Sequence, residues 1–292
     1  MLRTFAAVAD KASFAKAARR LGISPTAASR GVASLEEALG VTLFRRTTRS
    51  VALTPEGEAY LERCRPALDE LDDAARTLRG EAAEPHGPLV VTAPVVFGRM
   101  HVLPVVDRML RSYPALSVRL ILTDRLVRLV EEGFDVAVRI AELTDSALHA
   151  VRVAEVRRTL VASPAYLAAR GAPEEPAQLR DHQLIAFDNL TQSGEWRFGP
   201  HGRITIRCEP RLLTNSAEAA IDAAIKGAGI ARTLNYQTDD HVAAGRLTYL
   251  LADFDPPPVP VNLVFPANRL RSPNVRAFLD EARRSLSRQN VE

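Results

Sequence analysis

SFAKAARRLGISPTAASRGVASLEEALG, residues Ser13 to Gly40, reads as two amphipathic helices joined by a glycine turn. Phe14, Ala17, Ala18 and Leu21 follow one another at intervals of three, one and three residues, which puts them on one helical face. Gly22 reaches positive φ without strain and ends that helix. Ser24 offers a hydroxyl to free amides and Pro25 needs no amide partner, so the pair starts a second helix. This helix is expected to bury Ala28, Val32, Leu35 and Leu39, leaving Thr26, Ser29 and Arg30 facing outward near its N-terminus. A DNA-binding helix-turn-helix presents that end of its second helix to base edges. A plain helical hairpin inside a globular core has the same spacing.

The residues that follow favour the first reading. Leu43 and Phe44 lead through Arg45, Arg46, Thr47, Thr48 and Arg49 to Val51, Ala52 and Leu53, a short β-prone hairpin with three arginines that resembles a wing. Residues 1–50 hold nine Lys or Arg against three Asp or Glu, whereas residues 51–80 hold four against seven. The cationic surface is therefore local to the helical pair, as phosphate neutralisation requires, although the whole chain carries only +3.

Thr54 and Pro55 then start a long helix in which Leu61, Cys64, Leu68, Leu71, Ala75 and Leu78 recur three, four, three, four and three residues apart. This is a heptad stripe flanked by Glu62, Arg63, Arg65, Asp69, Glu70, Asp72 and Asp73, which reads as a charged rod with one adhesive face, hence a dimerisation helix. Packing against its own domain would use the same stripe. Pro66 falls opposite the stripe, where it is expected to bend the helix. GEAAEPHGP, Gly80 to Pro88, follows as a polar hinge.

From Leu89 onward strands and helices alternate, which argues for an α/β sheet architecture. Strands are predicted at 89–93, 118–122, 135–140, 153–162 and 261–265, with shorter ones at 204–206, 212–213, 229–231 and 247–250. Helices are predicted at 98–110, 126–132, 164–169, 217–226 and 273–286. Free amides and a helix dipole favour anions at strand-to-helix turns. Three such turns stand out: Pro94-Val95-Val96-Phe97-Gly98, Ser163-Pro164 and Thr214-Asn215-Ser216. The apolar side chains of the first turn favour an aromatic or largely apolar carboxylate as ligand. Ser163, Thr214, Asn215 and Ser216 equally suit helix caps.

The order Phe5 to Val8, Ser13-Phe14, Ala17-Ala18, Leu21, Ser24-Pro25, Ala28-Ser29, Leu35-Glu36, Leu39-Gly40, Leu43-Phe44-Arg45-Arg46 and Leu53-Thr54-Pro55-Glu56-Gly57 resembles LysR-type transcriptional regulators. Ala93 to Arg99, Glu131 to Ile140 and Val161 to Leu167 resemble that family's effector domain, so the likeness spans essentially the whole chain. One departure is that family members usually carry several residues before the first helix, whereas Leu2 and Phe5 already lie on its apolar face, as a misplaced start codon would produce.

The resemblance implies a winged helix-turn-helix at residues 1–54, a linker and dimerisation helix at 55–80 and a hinge at 81–88. It implies a bilobal domain like type 2 periplasmic binding proteins at 89–292, with one lobe from 89–162 and 266–292 and the other from 163–265. A small-molecule effector, by the physical reading an organic acid, would sit between the lobes. By resemblance it would meet Val95, Val96, Phe97, Gly98, Arg139, Ser163, Asn215, Ser216 and Thr233. DNA contacts would come from Ser24, Pro25, Thr26, Ser29, Arg30, Arg45, Arg46, Thr47 and Arg49. A dimer or tetramer on an inverted repeat of double-stranded DNA, acting on RNA polymerase, is the implied assembly.

Composition agrees with a two-part cytoplasmic protein: 292 residues, 47% hydrophobic and 25% charged, with charges interrupting any export signal in the first twenty residues. Cys64 and Cys208 suggest neither a disulfide framework nor a metal cluster. His86, His101, His149, His182, His201 and His241 are scattered, and no nucleophile elbow, phosphate loop or dinucleotide fingerprint is present. No cofactor is expected. Because the bilobal fold also hosts dehydratases and deaminases, an enzyme with an accessory helix-turn-helix stays open, as does a DNA-binding scaffold without ligand response.

Overall fold

The computed structural model describes residues 1–46, 51–78, 84–143, 148–187, 194–207 and 209–286. The chain divides into two compact units, Met1–Ala83 and Glu84–Glu292.

In the first unit, α1 (Leu2–Lys11), α2 (Phe14–Leu21) and α3 (Pro25–Leu39) are followed by the hairpin β1 (Phe44–Arg46) and β2 (Val51–Leu53), then by α4 (Pro55–Leu78). Local chemistry sets the helix ends as the sequence predicts. The Ser13 hydroxyl accepts from the Lys16 amide at 3.4 Å and the Ser24 hydroxyl from the Ala27 amide at 3.1 Å. Gly22 and Gly40 close α2 and α3 at φ of 67° and 68°. Phe5, Val8, Ala17, Val32, Leu35, Leu43 and Phe44 form the core, with Phe5 and Phe44 rings 5.4 Å apart. Leu39 departs from the expected stripe: it is exposed, because Gly40 ends the helix before that turn meets the core.

The wing is tied to α3 by side-chain-to-backbone bonds. The Glu36 carboxylate accepts from the amides of Leu43 and Phe44 at 2.7 and 3.1 Å. A Cβ on Gly57 would stand 2.1 Å from the Leu43 carbonyl oxygen, so only glycine lets the first turn of α4 approach the wing base this closely. α4 runs as one helix through Pro66.

The second unit holds two five-stranded sheets. β3 (Gly87–Ala93) begins two residues earlier than predicted, inside the expected hinge, and leads into α5 (Val95–Phe97), a π-helical turn (Gly98–Val102) and α6 (Leu103–Ser112). β4 (Leu116–Leu122), β5 (Val136–Ile140) and β6 (Leu148–Val156) follow. With β14 (Val259–Pro266) they form the order β4-β3-β5-β14-β6, in which β14 runs antiparallel to β5 and β6. Leu89, Val91, Val136, Val261 and Leu263 pack there with Val105 and Met109 of α6 and with Phe278 of α10 (Pro273–Leu286).

The second sheet draws on β7 (Arg158–Ala162), β8 (Leu184–Phe187), β11 (Leu212–Thr214), β12 (Ile230–Leu234) and β13 (Thr248–Leu250), in the order β11-β8-β12-β7-β13. α7 (Pro164–Arg170), the hairpin β9 (Glu195–Phe198) and β10 (Ile204–Arg207), α8 (Ala217–Ile225) and α9 (Asn235–Ala243) complete this lobe.

The lobe boundaries differ from the expectation of 162/163 and 265/266. The stretch read as one strand, 153–162, breaks at Arg157: β6 belongs to the first sheet and β7 to the second. The return crossing lies between β13 and β14, so β14 is wholly a first-lobe strand. The physical reason is local bonding at the crossing. The Arg157 amide donates to Asn235 Oδ1 at 2.8 Å and its carbonyl accepts from the Asn235 amide at 2.9 Å. Those groups are thereby taken out of either ladder.

The helix expected at 126–132 is a loop and turn. Val127 and Leu129 are buried while Leu126 and Val130 are exposed, an alternation no helix face produces. The Glu132 carboxylate pairs with Arg125 and accepts from the Arg128 amide, while Arg139 Nη2 donates to the Val127 carbonyl at 2.7 Å.

Candidate functional site

In the first unit, α3 buries Ala28, Val32 and Leu35 and thereby turns Ser24, Pro25, Thr26 and Arg30 to the surface, with Ser29 half-buried beside them. Thr26, Ser29 and Arg30 lie three and one residues apart on the first two turns, one outward face within reach of a groove. Arg45 is exposed on β1, whose partner across the hairpin is Ala52. Arg46 lies on the same strand, paired in register with Val51; Thr47 and Arg49 lie outside the described residues.

The linker stripe divides. Leu61 packs against the core of the same unit, and Leu68 is also buried within one chain. Leu71 is 60% exposed and Cys64 half-buried. Ala75 and Leu78 lie on the same helix, and their side chains are outside the described set.

In the second unit, the helical run that starts at Val95 meets the other lobe directly. Val96 and Met100 pack with Phe187, Ala217 and Tyr236. The Phe97 ring lies 5.3 Å from Tyr236 and 4.7 Å from His101, and His101 lies 5.4 Å from Tyr236. Arg99 Nη2 bonds Glu218 Oε1 at 3.0 Å, so an ion pair joins the two lobes at the start of α8. A Cβ on Gly98 would stand 2.2 Å from Leu122 Cδ2, which is how the π-helical turn lies so close to its own sheet.

Neither ring nitrogen of His101 has a partner among the described residues, and burial lowers its pKa. Burial likewise raises the pKa of Tyr236, with a contribution from the Asp124 carboxylate. Asp124 is half-buried, and its Oδ1 accepts from the Val95 amide at 3.2 Å. That bond gives the first amide of the Pro94 to Gly98 turn a partner within the chain. The leading amide already serves a carboxylate of this chain.

Arg139 is also committed elsewhere: its guanidinium holds the loop at Val127, and burial lowers its pKa. In the second lobe, the buried Ser163 hydroxyl accepts from the Tyr166 amide at 3.3 Å. Ser216 accepts from the Ala219 amide at 3.2 Å. Thr233 is buried, with its hydroxyl 3.2 Å from that of Thr159 on the paired strand. Asn215 is exposed. The structure thus brings Val96 and Phe97 to the interlobe seam, with Gly98 beside them against the first sheet. It shows Ser163, Ser216 and Thr233 satisfying their own lobe.

Asp124, His101 and Tyr236 carry seam chemistry that the sequence did not single out. A signal existed for His101, which stands four residues after Phe97 on one helical face. None existed for Asp124, which lies two residues past the expected strand in a loop.

A winged helix-turn-helix followed by a two-lobed α/β domain with its own interlobe seam defines a class of regulators. Residues 1–58 match the family model for the bacterial regulatory helix-turn-helix protein, lysR family, and residues 82–287 match the LysR substrate binding domain. The chain is 33% identical over 289 residues to the transcriptional regulator PtxR of Pseudomonas aeruginosa, covering 99% of this chain and 93% of that one. To PgrR of Escherichia coli it is 33% identical over 284 residues, covering 96% and 95%. The solved structure of CrgA, a LysR-type transcriptional regulator from Neisseria meningitidis, aligns with a TM-score of 0.64 at 30% identity, covering 98% of this chain and 97% of that one. The chain belongs to the LysR family, and it is a DNA-binding transcriptional regulator with an effector-binding domain. No described helix is long and apolar enough to cross a membrane.

Proposed function

We propose that this protein works as an oligomer that holds an inverted-repeat operator in double-stranded DNA and reports a small molecule bound between the lobes of its second unit. The observation that carries this is the outward face of α3, where Thr26, Ser29 and Arg30 stand opposite a packed core of Ala28, Val32 and Leu35. In this reading those three side chains read bases, with Ser24 and Pro25 setting the helix start. Arg45, Arg46, Thr47 and Arg49 anchor phosphates. The linker pairs subunits through Leu71, Ala75 and Leu78, with Leu61 and Leu68 supporting it from within the protomer.

An effector acts by binding two arrangements of the assembly with different affinity, which shifts the spacing of bound half-sites and so the recruitment of RNA polymerase. The setting is the cytoplasm, and the chain performs no catalysis of its own. Binding isotherms on operator and random DNA test the DNA assignment. Arg30→Ala lowers operator preference by about 1–3 kcal/mol and leaves random binding in place, whereas Arg46→Ala weakens both and reduces the salt slope by about one. Equal losses on both DNAs from both variants contradict it.

A further inference from the structure

We propose that Glu36 and Thr54 are positioning residues for DNA binding: one from α3 and the other from the start of α4, they fix the wing base at residues 42–44 and so hold Arg45 at a set place relative to the outward face of α3. This rests on the reading, given above, that Arg45 anchors a phosphate.

The backbone of the wing base is divided between two helices. Glu36, half-buried on the last turn of α3, accepts the Leu43 and Phe44 amides on its carboxylate at 2.7 and 3.1 Å, and its carbonyl accepts from the Val41 amide at 3.2 Å. Thr54 works from the other helix. Its hydroxyl donates to the Thr42 carbonyl at 2.7 Å and accepts from the Gly57 amide at 2.9 Å, so the group that caps α4 also holds the wing. The Thr54 amide donates to the Leu43 carbonyl at 3.0 Å. The amides of Leu43 and Phe44 therefore follow α3, while the carbonyls of Thr42 and Leu43 follow α4.

Arg45 is the next residue in the chain and is exposed. Burial of Leu43 and Phe44 roots the strand in the core. A two-stranded hairpin is only marginally stable by itself, so the direction in which this one leaves the core follows how its base is held. A site is as exact as the shell that supports it, and here the shell joins the helix that carries Thr26, Ser29 and Arg30 to the helix that leaves the unit. Charge alone predicts the opposite behaviour for Glu36, because deleting an anion from a DNA-binding unit strengthens its attraction for phosphates.

The test is a set of double-mutant cycles on the full-length protein, read as binding isotherms on a duplex of its own upstream intergenic DNA over a range of salt. Arg45→Ala weakens the wild type by about fivefold and lowers the salt slope by about one. The expected result is that Glu36→Ala weakens binding by about the same factor although it removes a negative charge, and that Arg45→Ala then costs less than about twofold in its background. Thr54→Val, which lacks the hydroxyl, behaves in the same way. Glu36→Gln keeps an oxygen acceptor and Thr54→Ser keeps the hydroxyl, so both preserve most of the Arg45 effect. Arg30→Ala costs the same factor in every background, which separates a misplaced wing from an unfolded unit. The positioning claim is overturned if Arg45→Ala costs as much in Glu36→Ala and Thr54→Val as in the wild type, or if Glu36→Ala tightens binding as Glu37→Ala at the exposed neighbour does. It is overturned equally if Arg30→Ala loses its effect together with Arg45→Ala, as general unfolding produces. An Arg45→Ala variant with wild-type affinity and salt slope overturns the phosphate reading of Arg45 itself, and the inference with it.

Discussion

The two lobes are built alike, each a five-stranded sheet with a helix starting at the seam, yet they use their polar groups in opposite ways. In the second lobe the hydroxyls serve the fold: Ser163 and Ser216 cap helices, and Thr233 bonds Thr159 across strands. In the first lobe the polar groups nearest the seam divide. His101 makes no hydrogen bond among the described residues, and Asp124 caps a turn at the surface of its sheet. A hydroxyl that accepts from a backbone amide is fixed in direction and keeps its own proton to donate.

Substitutions can break this contrast. The largest effect belongs to Trp196, fully buried in the second lobe beneath Arg232 at 5.6 Å: Trp196→Ala costs about 3–5 kcal/mol in denaturant unfolding. Glycines at close approaches give a matched pair. Gly229 sits at φ 155°, and an added Cβ would stand 2.2 Å from the Gln183 carbonyl oxygen, so Gly229→Ala costs roughly 2–3 kcal/mol. Gly98 meets instead the movable tip of Leu122, so Gly98→Ala costs less, under about 1.5 kcal/mol, and shows itself in ligand binding. Ser163→Ala and Ser216→Ala each lower stability by about 1 kcal/mol through the lost caps. Large changes in ligand affinity from these two serines, with stability intact, would reverse the assignment of roles.

The smallest effect is a pH slope at the lobe crossing. Burial pushes the Asp255 carboxyl up from its ordinary 3.8 to about 6, against the pull of Arg157 at 3.8 Å. An acid whose folded pKa is raised holds its proton longer in the native state. The native state therefore binds more protons between about 4 and 6, and stability falls as pH rises through that window. Thermal melts across the range show this as a shallow decline that Asp255→Asn removes; a rise in wild-type stability over the same range would mean that the Arg157 attraction outweighs burial.

Where chemistry is local, the sequence is legible. Ser13, Ser24, Ser163 and Ser216 each precede a helix they cap, and Gly22 and Gly40 end the helices they follow. Legibility fails where distant partners decide. Nothing in the alternation of residues 153–162 marks Arg157 as the lobe crossing, because its bonds go to Asn235. For the same reason α9, a polar helix that opens at Asn235, went unforeseen. The apolar residues of 126–132 suggest a helix face, and only the bonds of Arg139, Arg125 and Glu132 fix the loop. The exposed face of α3 was therefore readable in outline, whereas the groups at the interlobe seam were not. Leu71 is intermediate: the heptad names it, but exposure separates it from Leu68. Leu71→Glu should dissociate the assembly in sedimentation while each protomer stays folded.

The measurement that bears most directly on the regulator reading is a footprint of the purified full chain on its own upstream intergenic DNA and on random DNA, at near-physiological salt, with and without a panel of small organic molecules. Specific protection of an inverted repeat, with its boundaries or spacing changed by a member of the panel, is the predicted result. Salt-sensitive binding with no preference for that DNA would contradict it and leave the basic wing as a non-specific patch.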